Sequence, residues 1–331
     1  MVDQVSNEHF DTLLESLNDP DKLKESFENV STNKILIRGV EEQNDTIIRL
    51  LLEKKVCNVN YQDDTGNTAL HHAAKLDSNE ILNLLLENGA DANILNFEEL
   101  TALQMAVLSG KVQNYETLAK VTLDQDRKCK LNKTLLHLAV IGQNLELVAK
   151  FINNKNLYWM DKWNRVPLYY AATLESSEIV AVLIKQMQRT DNFVNWYFFK
   201  KAAKKAVKSG KKANYLLLED YIDLDYIRNK LLPSAVDCNH AELFIHILRK
   251  DPDFKQYFDH YQIYKHVITI GNYDMCKYLI EAGFNIHATD NYNNTPLHVA
   301  AENGRGDIFD LLVKHGANPN ALNNESKTPN L

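Results

Sequence analysis

The chain has 331 residues, of which 45% are hydrophobic and 24% are charged, so it contains enough apolar material to fold. Its length suits two average domains or one long repeat array. The formal net charge of -7 argues against a protein that is drawn to nucleic acid or anionic lipid by its overall charge, although a local patch can depart from that average.

The first 32 residues are acidic and have an apolar helical face. Residues 1–30 contain eight acids against two lysines. Apolar residues recur at helical spacing within this stretch: Phe10, Leu13, Leu14 and Leu17. We expect residues 1–32 to form an acidic amphipathic helical cap, because a repeat array needs a polar end unit to stay soluble. A helix that recognises a partner is the alternative.

A seven-residue motif recurs along the chain in steps of 33 residues. Thr68–Ala74 returns as Thr101–Val107 and then as Thr134–Val140, and the clearest copy is Thr295–Ala301. We expect the small or polar residue that follows each motif to end the first helix of a repeated unit. Extending this register along the chain gives nine such residues: Asn44, Asp77, Gly110, Gln143, Glu175, Gly210, Cys238, Gly271 and Gly304.

This motif and its period resemble the ankyrin repeat, whose unit of about 33 residues carries a T-P-L-H-x-A signature. The resemblance implies an all-α fold, an ankyrin-repeat solenoid of stacked helix-loop-helix units with projecting β-hairpin-like loops. We expect about nine units, several of them degenerate. Repeats 1–5 would occupy residues 33–190, an irregular basic and aromatic helical segment 191–232, repeats 7–9 residues 233–322, and a polar, frayed tail residues 323–331.

One unit illustrates how the sequence would build the fold. Thr68 can cap a short first helix, in which Ala73 and Ala74 allow the neighbouring helix pair to approach closely. A second, apolar helix follows, and Gly89 supplies the left-handed conformation that helix ends favour. A single unit cannot bury its own apolar stripe, so only stacking of the units produces a core.

No residue pattern in the chain predicts catalysis, a metal site or a cofactor. The four cysteines lie far apart without a C-x-x-C pair, and neither a phosphate-binding glycine loop nor a nucleophile motif is present. His71, His137 and His298 occupy the same repeat position, where the resemblance implies a structural hydrogen bond between the helix and a loop. We therefore expect no catalytic, cofactor-binding or metal-binding residues, and no cofactor.

The resemblance also suggests where a partner protein binds. The family binds macromolecules through the concave side of the solenoid, which the loop tips and the inner face of each first helix line. Aromatic and methionine side chains there would suit an interface, because they bury a large area at small entropic cost. Our hypothesis is a hydrophobic groove for an apolar segment of another protein, lined by Phe97, Met105, Leu138, Trp163 and Tyr170. Alternatively, these side chains pack on neighbouring loops and helices, as we expect of Trp159.

A basic patch is the second candidate site. No acid lies between residues 200 and 212, which contain Lys200, Lys201, Lys204, Lys205, Lys208, Lys211 and Lys212. On a helix, Phe199 and three alanines would face inward and leave the lysines outside. Such a face can attract an acidic protein surface, which we favour, or an anionic membrane or a phosphate backbone. The alternative is a solvated face that acids at positions 219, 220, 223 and 225 partly neutralise.

These observations favour a non-catalytic scaffold for protein–protein interaction. No stretch approaches the roughly 18 apolar residues of a membrane span, and we expect a cytoplasmic location and no nucleic acid partner. Two alternatives stay open. The asparagine-rich, degenerate repeats resemble those of ankyrin proteins that intracellular bacteria deliver into the host cytoplasm to act on host proteins. An enzyme or enzyme inhibitor could use the irregular segment 191–232.

Overall fold

A computed structural model describes residues 32–153, 155–189, 195–251, 253, 256 and 259–330. Every regular element in these ranges is helical, so the fold is the all-α one that the sequence predicts. The helices form two compact units, residues 1–170 with 182–190 and residues 171–181 with 191–331, which we call the N-terminal and C-terminal units. The predicted cap, residues 1–32, lies outside the described residues except for Thr32.

Short helices in pairs make up the N-terminal unit. They are α1 (Thr32–Glu41), α2 (Asp45–Glu53), α3 (Ala69–Ala73), α4 (Glu80–Glu87), α5 (Ala102–Leu108), α6 (Val112–Leu118), α7 (Leu135–Ile141) and α8 (Leu145–Phe151). A 3₁₀ turn, Asn156–Tyr158, follows. Two helices, α9 (Pro167–Ala171) and α10 (Glu178–Gln188), have residues in both units.

The C-terminal unit continues the pairs. Its helices are α11 (Asn195–Lys208), α12 (Lys212–Leu218), α13 (Leu232–Asp237), α14 (Ala241–Lys250), α15 (His260–Ile270), α16 (Tyr273–Glu281), α17 (Pro296–Glu302) and α18 (Gly306–Lys314). Each of the nine residues that the repeat register predicts to end a first helix lies between the two helices of a pair. The register is therefore confirmed along the described chain.

The Thr-x-x-His motif caps the first helices and joins them to the next loop. The Thr68 backbone N–H donates to Nδ1 of His71 (3.2 Å), so the proton of the neutral ring is on Nε2, which donates to the carbonyl of Leu100 (3.0 Å). Burial lowers the pKa of His71 and favours this neutral form. The rings of His137 and His298 make the same bonds, to the carbonyls of Arg165 and Lys327. The predicted structural role of the three histidines is confirmed.

Successive first helices pack on one another within each unit, as α3 does on α5 and α5 on α7. Ala73 and Ala74 have no exposed surface, so the small side chains do permit the close approach that the sequence predicts. The second helices contribute larger apolar side chains to the same core, such as Leu82 and Leu85. Helix α4 ends before Gly89, whose φ of 85° is in the left-handed region.

The loops are rigid turns that are bonded to one another. Asp63 opens one such turn and accepts the backbone N–H groups of Thr65 (2.8 Å) and Asn67 (2.9 Å). The same pattern opens the turns at Asn96, Asp161, Asp290 and Asn323. Neighbouring loop tips share backbone hydrogen bonds, from Phe97 N to Thr65 O (3.1 Å) and from Lys162 N to Leu131 O (2.9 Å). The tips are thereby held in place before any partner arrives.

The irregular part of the C-terminal unit begins with a longer helix. Helix α11 has 14 residues, and its predicted inward stripe is buried: Phe199, Ala202, Ala203 and Ala206. Between α12 and α13 the usual loop is replaced by a 3₁₀ turn (Glu219–Tyr221), a helical turn (Leu224–Tyr226) and a π-helical segment (Ile227–Leu231). Pro233 follows this segment and has no N–H to continue an α-helical ladder, which accounts for the widened turn before it.

The expectation of a frayed C-terminal tail is wrong for residues 323–330. Asn323 accepts the backbone N–H groups of Glu325 and Lys327 (both 3.0 Å), and Asn324 N donates to the carbonyl of Tyr292 (2.9 Å). Ser326 has a φ of 56°, like the residues at the same position of the other loops. The stretch is ordered because it repeats the turn chemistry of those loops, whereas a reading of its polarity alone favours disorder.

Candidate protein-interaction surfaces

The proposed groove residues differ in how much surface they offer. Phe97 is 64% exposed and Trp163 is 47% exposed, both at loop tips of the N-terminal unit. Met105 is half-buried. The expectation that Leu138 lines an open groove is wrong, because only 2% of this residue is exposed and the rest lies in the core of α7. Leu138 therefore has no area to give to a partner.

Tyr170 is half-buried and supports the loop that carries Trp163. Its hydroxyl donates to the carboxylate of Asp161, which also accepts the backbone N–H groups of Trp163 (2.8 Å) and Arg165 (3.0 Å). Burial, together with this carboxylate, raises the pKa of Tyr170 to about 12. Tyr170 thus holds the exposed indole in position, a role that the groove hypothesis did not assign to it.

Phe97 is exposed but fixed in place by a glycine of the preceding loop. Gly66 has a φ of 77°, and a Cβ added to it would lie 2.6 Å from Cδ1 of the Phe97 ring and 2.7 Å from its backbone nitrogen. Only glycine therefore fits at position 66 without displacing the phenyl ring. The loop backbone and this contact together orient the ring before binding.

Cations lie on aromatic rings in the same unit. Nζ of Lys128 is 3.4 Å from the ring centroid of Trp159, and the Arg165 guanidinium carbon is 4.9 Å from that of Trp163. Trp159, which we expected to pack, is 38% exposed with one face against this lysine. These cations are not conspicuous in the sequence, because they are spread over almost 40 residues and form no run.

Trp159 lines two recesses of the N-terminal unit. The larger has a volume of about 780 Å³, and Lys128 and Lys155 are among its lining residues. Its remaining walls are Asp126, Thr134, Leu135, Phe151, Ile152, Asn153, Asn156, Trp159 and Gln186. The smaller recess, of about 410 Å³, shares Lys155 and Trp159 with it. Charged, amide and apolar groups thus meet around one indole.

The lysine patch of the C-terminal unit is partly neutralised by its own unit. Lys200 pairs with Asp223, whose pKa this lysine lowers, as the alternative to a binding role predicts. Lys211 pairs with Glu175, and Nζ of Lys212 lies 3.3 Å from Glu242.

Several patch lysines are also partly shielded. Lys201 lies over the Tyr197 ring, with Nζ 4.7 Å from the centroid. Lys208 is exposed, whereas Lys204 and Lys205 are half-buried. Two of the acids expected to neutralise the patch pair elsewhere, since Glu219 and Asp220 both contact Lys250.

Charged groups also hold the irregular connection of the C-terminal unit together. Asp251 is 3% exposed and accepts two hydrogen bonds from the guanidinium of Arg228, which lies in the π-helical segment. The guanidinium lowers the pKa of Asp251. This ion pair fixes the π-helical segment to the end of α14.

The structure shows no arrangement suited to a metal ion among the residues that it describes, where no three of His, Cys, Asp and Glu converge. No helix in the same ranges is long and apolar enough to cross a membrane.

The paired helices, capped by Thr and His and separated by bonded turns, define a helix-loop-helix repeat protein. The family model described as ankyrin repeats matches residues 4–96, 36–129, 103–195 and 232–323. The chain therefore belongs to the ankyrin-repeat family, and it is a protein–protein interaction module. The matched ranges leave out residues 196–231, which contain α12, the whole irregular connection and all of α11 except Asn195.

Relatives match over parts of their length. An ankyrin repeat protein of fowlpox virus is 30% identical over 169 residues, which are 47% of this chain and 24% of the viral protein. A transient receptor potential cation channel subfamily A member 1 homolog of Caenorhabditis elegans is 36% identical over 32% of this chain and 9% of its own length. The protein fem-1 homolog C of Mus musculus is 32% identical over 29% of this chain and 18% of its own length. The chain spans less than a quarter of each of these three proteins.

Proposed function

We propose that this chain is a non-catalytic scaffold that binds a partner protein on the loop tips of its N-terminal unit. The observation that carries the proposal is the pair of aromatic side chains, Phe97 and Trp163, that are exposed at tips whose backbones are bonded to neighbouring loops. Large aromatic side chains contribute much of the binding energy at interfaces. A surface that is already ordered loses little conformational entropy when a partner docks.

We propose a smaller groove than the one that the sequence suggests. Phe97, Met105 and Trp163 have area to offer, and Tyr170 acts mainly through the bond that its hydroxyl makes with Asp161. We propose that an apolar part of the partner contacts Phe97, Met105 and Trp163. The bacterial effector and enzyme alternatives stay predictions of the sequence.

The proposal can be tested with paired substitutions. Proteins retained by the wild-type chain on an affinity resin are compared by quantitative mass spectrometry with those retained by Phe97→Ser/Trp163→Ser. Leu123→Ser is the control, because Leu123 is 89% exposed but does not lie at a tip. We expect the double variant to lose a specific protein that the control retains. Equal retention by all three chains would show that the tips do not bind it.

We propose the lysine patch as a second surface for an acidic protein, now limited to its outer part. The observation that favours it is that Lys208 is exposed on α11, the helix that also carries exposed Trp196 (55%) and Tyr197 (41%). Lys204→Glu/Lys208→Glu should weaken binding of an acidic partner and leave the fold intact. A partner that binds this variant as tightly as the wild type would remove the patch from consideration.

A further inference from the structure

Two neighbouring loops of the N-terminal unit form a surface that shares only Trp163 with the proposed groove. Residues 127–133 and 155–165 contain one acid, Asp161, and seven basic residues: Arg127, Lys128, Lys130, Lys133, Lys155, Lys162 and Arg165. We call these seven residues, with Trp159 and Trp163, the basic–aromatic face. It stands apart from the lysine patch on α11.

Contacts between the two loops bring the face together. The backbone N–H of Lys162 donates to the carbonyl of Leu131 (2.9 Å), and the Asn132 side chain donates to the carbonyl of Met160 (2.9 Å). Lys128 lies on Trp159, and both line the 780 Å³ recess with Lys155. Residues about 30 positions apart in the sequence, such as Lys128 and Trp159, thus share one surface.

The positive charge of this face is balanced only in part, since Asp161 acts electrostatically on Arg165 and Asp126 lies in the recess with Lys128 and Lys155. No ion pair joins any of its seven cations to an acid within the described ranges. Asp161 is buried, and its carboxylate is used by the loop backbone and the Tyr170 hydroxyl. Asp126 is the acid that lines the recess. A chain with a net charge of -7 therefore leaves a concentrated excess of cations here.

The 780 Å³ recess has an apolar wall, so the partner needs an apolar side chain as well as acids. Leu135, Phe151 and Ile152 provide this wall, and Trp159 lines both this recess and the smaller one. Its amides and two ammonium groups supply donors for carboxylates and for a peptide backbone. Its volume lies in the range of sites that enclose a ligand-sized group, so one or two side chains of a polypeptide fit there.

The next loops toward the N-terminus limit how far an acidic ligand can extend. Asp64, Glu98 and Glu99 are exposed at the two preceding turns. The charge of the exposed side chains on successive bonded tips therefore changes from negative to positive between Glu98 and Lys130. A long polyanion such as a nucleic acid strand would be repelled by the negative half, whereas a short acidic stretch in a polypeptide would avoid it.

We propose that the partner presents a short acidic polypeptide segment to the basic–aromatic face, with an aromatic or aliphatic residue among its acids entering the recess beside Trp159. The carboxylates then pair with the lysines of the two loops. This inference rests on the proposed function, since it specifies the partner of the same N-terminal unit. It predicts that residues next to the acidic stretch, which face Phe97 and Glu98, are apolar or basic.

The test uses a synthetic peptide and the whole chain. The probe is a fluorescein-labelled peptide of about 12 residues, made of Asp and Glu with one central Phe, and its fluorescence anisotropy is measured at low and physiological salt. Two further probes replace the Phe by Gly or all acids by Asn and Gln. A single-stranded oligouridine RNA of equal length is the fourth probe.

The variant Lys130→Glu/Lys155→Glu/Lys162→Glu changes three exposed lysines of the face. The matched control, Lys54→Glu/Lys185→Glu/Lys314→Glu, makes the same change in net charge on exposed lysines elsewhere. We expect the triple variant to lose at least about tenfold in affinity for the acidic peptide, and the control to lose much less. Replacing Phe by Gly should weaken binding at both salt concentrations.

Three results would overturn the inference: no binding of the acidic peptide by the wild type, equal loss in the two triple variants, or tighter binding of the RNA than of the peptide. The proposed function would fail separately. If the acidic peptide does not bind but the wild-type chain retains a protein that Phe97→Ser/Trp163→Ser loses, the tips bind a partner that presents no acidic segment. The proposed function then stands and the inference fails. If neither the peptide nor any protein depends on these loops, both proposals fall.

Discussion

Two regions of the molecule bring lysines and aromatic rings together, and they differ in where the matching acids lie. On α11 and at the start of α12, Lys200, Lys211 and Lys212 contact acids of their own unit. On the basic–aromatic face, no such acid lies within ion-pair distance in the described part of the chain. A dense run of lysines in the sequence is therefore not necessarily the most available positive surface of the folded chain.

The largest effect should come from the C-terminal unit, where charge is used for folding. Asp251→Ala removes the carboxylate that pairs with the largely buried guanidinium of Arg228. We expect a loss of about 3 kcal/mol in the free energy of unfolding. Urea denaturation followed by circular dichroism measures it. Asp220→Ala is the control, because Asp220 is exposed and its contact with Lys250 should contribute less than about 1 kcal/mol. Equal effects of the two changes would contradict this account.

The same ion pair predicts a pH dependence. Arg228 lowers the pKa of Asp251 below the value that an unfolded chain has, about 3.9. The stabilisation is therefore fully present above that unfolded value and is lost as the pH falls through the lowered pKa of the folded state. The stability difference between wild type and Asp251→Ala should shrink as the pH is lowered below about 4. A difference that stays constant down to the acid transition would be inconsistent with the pair.

A buried asparagine in each unit caps backbone carbonyls, and its loss should lower the free energy of unfolding by a smaller amount that is similar in the two units. The Asn114 amide donates to the carbonyls of Ala73, Ala74 and Leu76 at the end of α3, and Asn214 donates to three carbonyls of residues 171–174 in the C-terminal unit. Replacing either asparagine by alanine leaves buried carbonyls without these donors. We expect each variant to lose about 2 kcal/mol in unfolding free energy.

Chemical denaturation of Asn114→Ala and Asn214→Ala, measured side by side, checks this prediction. An exposed asparagine, Asn88, gives the control Asn88→Ala, which should cost less than about 1 kcal/mol. A loss in one of the buried positions only would mean that the two carbonyl-capping sites are not equivalent.

Substitutions of Tyr170 and Trp163 in the N-terminal unit should have different effects on stability and on partner binding. Tyr170→Phe removes the bond to Asp161 and should lower unfolding free energy by about 1 kcal/mol while it weakens partner binding indirectly. Trp163→Ala should abolish partner binding with a stability change of less than about 0.5 kcal/mol, because its side chain is exposed. Thermal denaturation and the affinity-resin comparison report the two properties. A large stability loss in Trp163→Ala would assign the indole to the core.

The smallest effect concerns the lysine patch itself. Lys200→Ala removes an ion pair with a half-exposed carboxylate, and we expect at most about 0.5 kcal/mol of destabilisation. High salt should reduce even this difference, which urea denaturation at two salt concentrations can detect. A loss of several kcal/mol would mean that the patch is a folding element rather than a surface.

The sequence predicted those parts of the fold that local chemistry determines. The Thr-x-x-His caps, the nine turns and the buried stripe around Ala202 follow from spacing and residue type. Leu138 was misplaced because its burial depends on side chains of neighbouring units that one repeat does not specify. The tail was misread because Asn323 and Ser326 were taken as polar residues and not compared with the matching loop positions.

The basic–aromatic face could not be found by searching for runs of charge. Lys128 and Lys155 are 27 positions apart in the sequence and meet only because two loops fold beside Trp159. Conversely, the lysines at 200 and 211 are conspicuous in the sequence, but their acids come from Asp223 and Glu175, outside the run. Charge balance is a property of the tertiary structure, because the acids that pair with a run of lysines lie elsewhere in the sequence.

The loop lysines of the N-terminal unit are available, whereas Lys200, Lys211 and Lys212 are held by acids of their own unit. Acetylation of the folded chain under limiting reagent, with each lysine followed by mass spectrometry, tests it most directly. The account predicts that Lys130, Lys155 and Lys162 react faster than Lys200 and Lys211, and that the acidic peptide protects only the first three. Equal reactivity of the two sets, or protection of Lys200 and Lys211 instead, would contradict it.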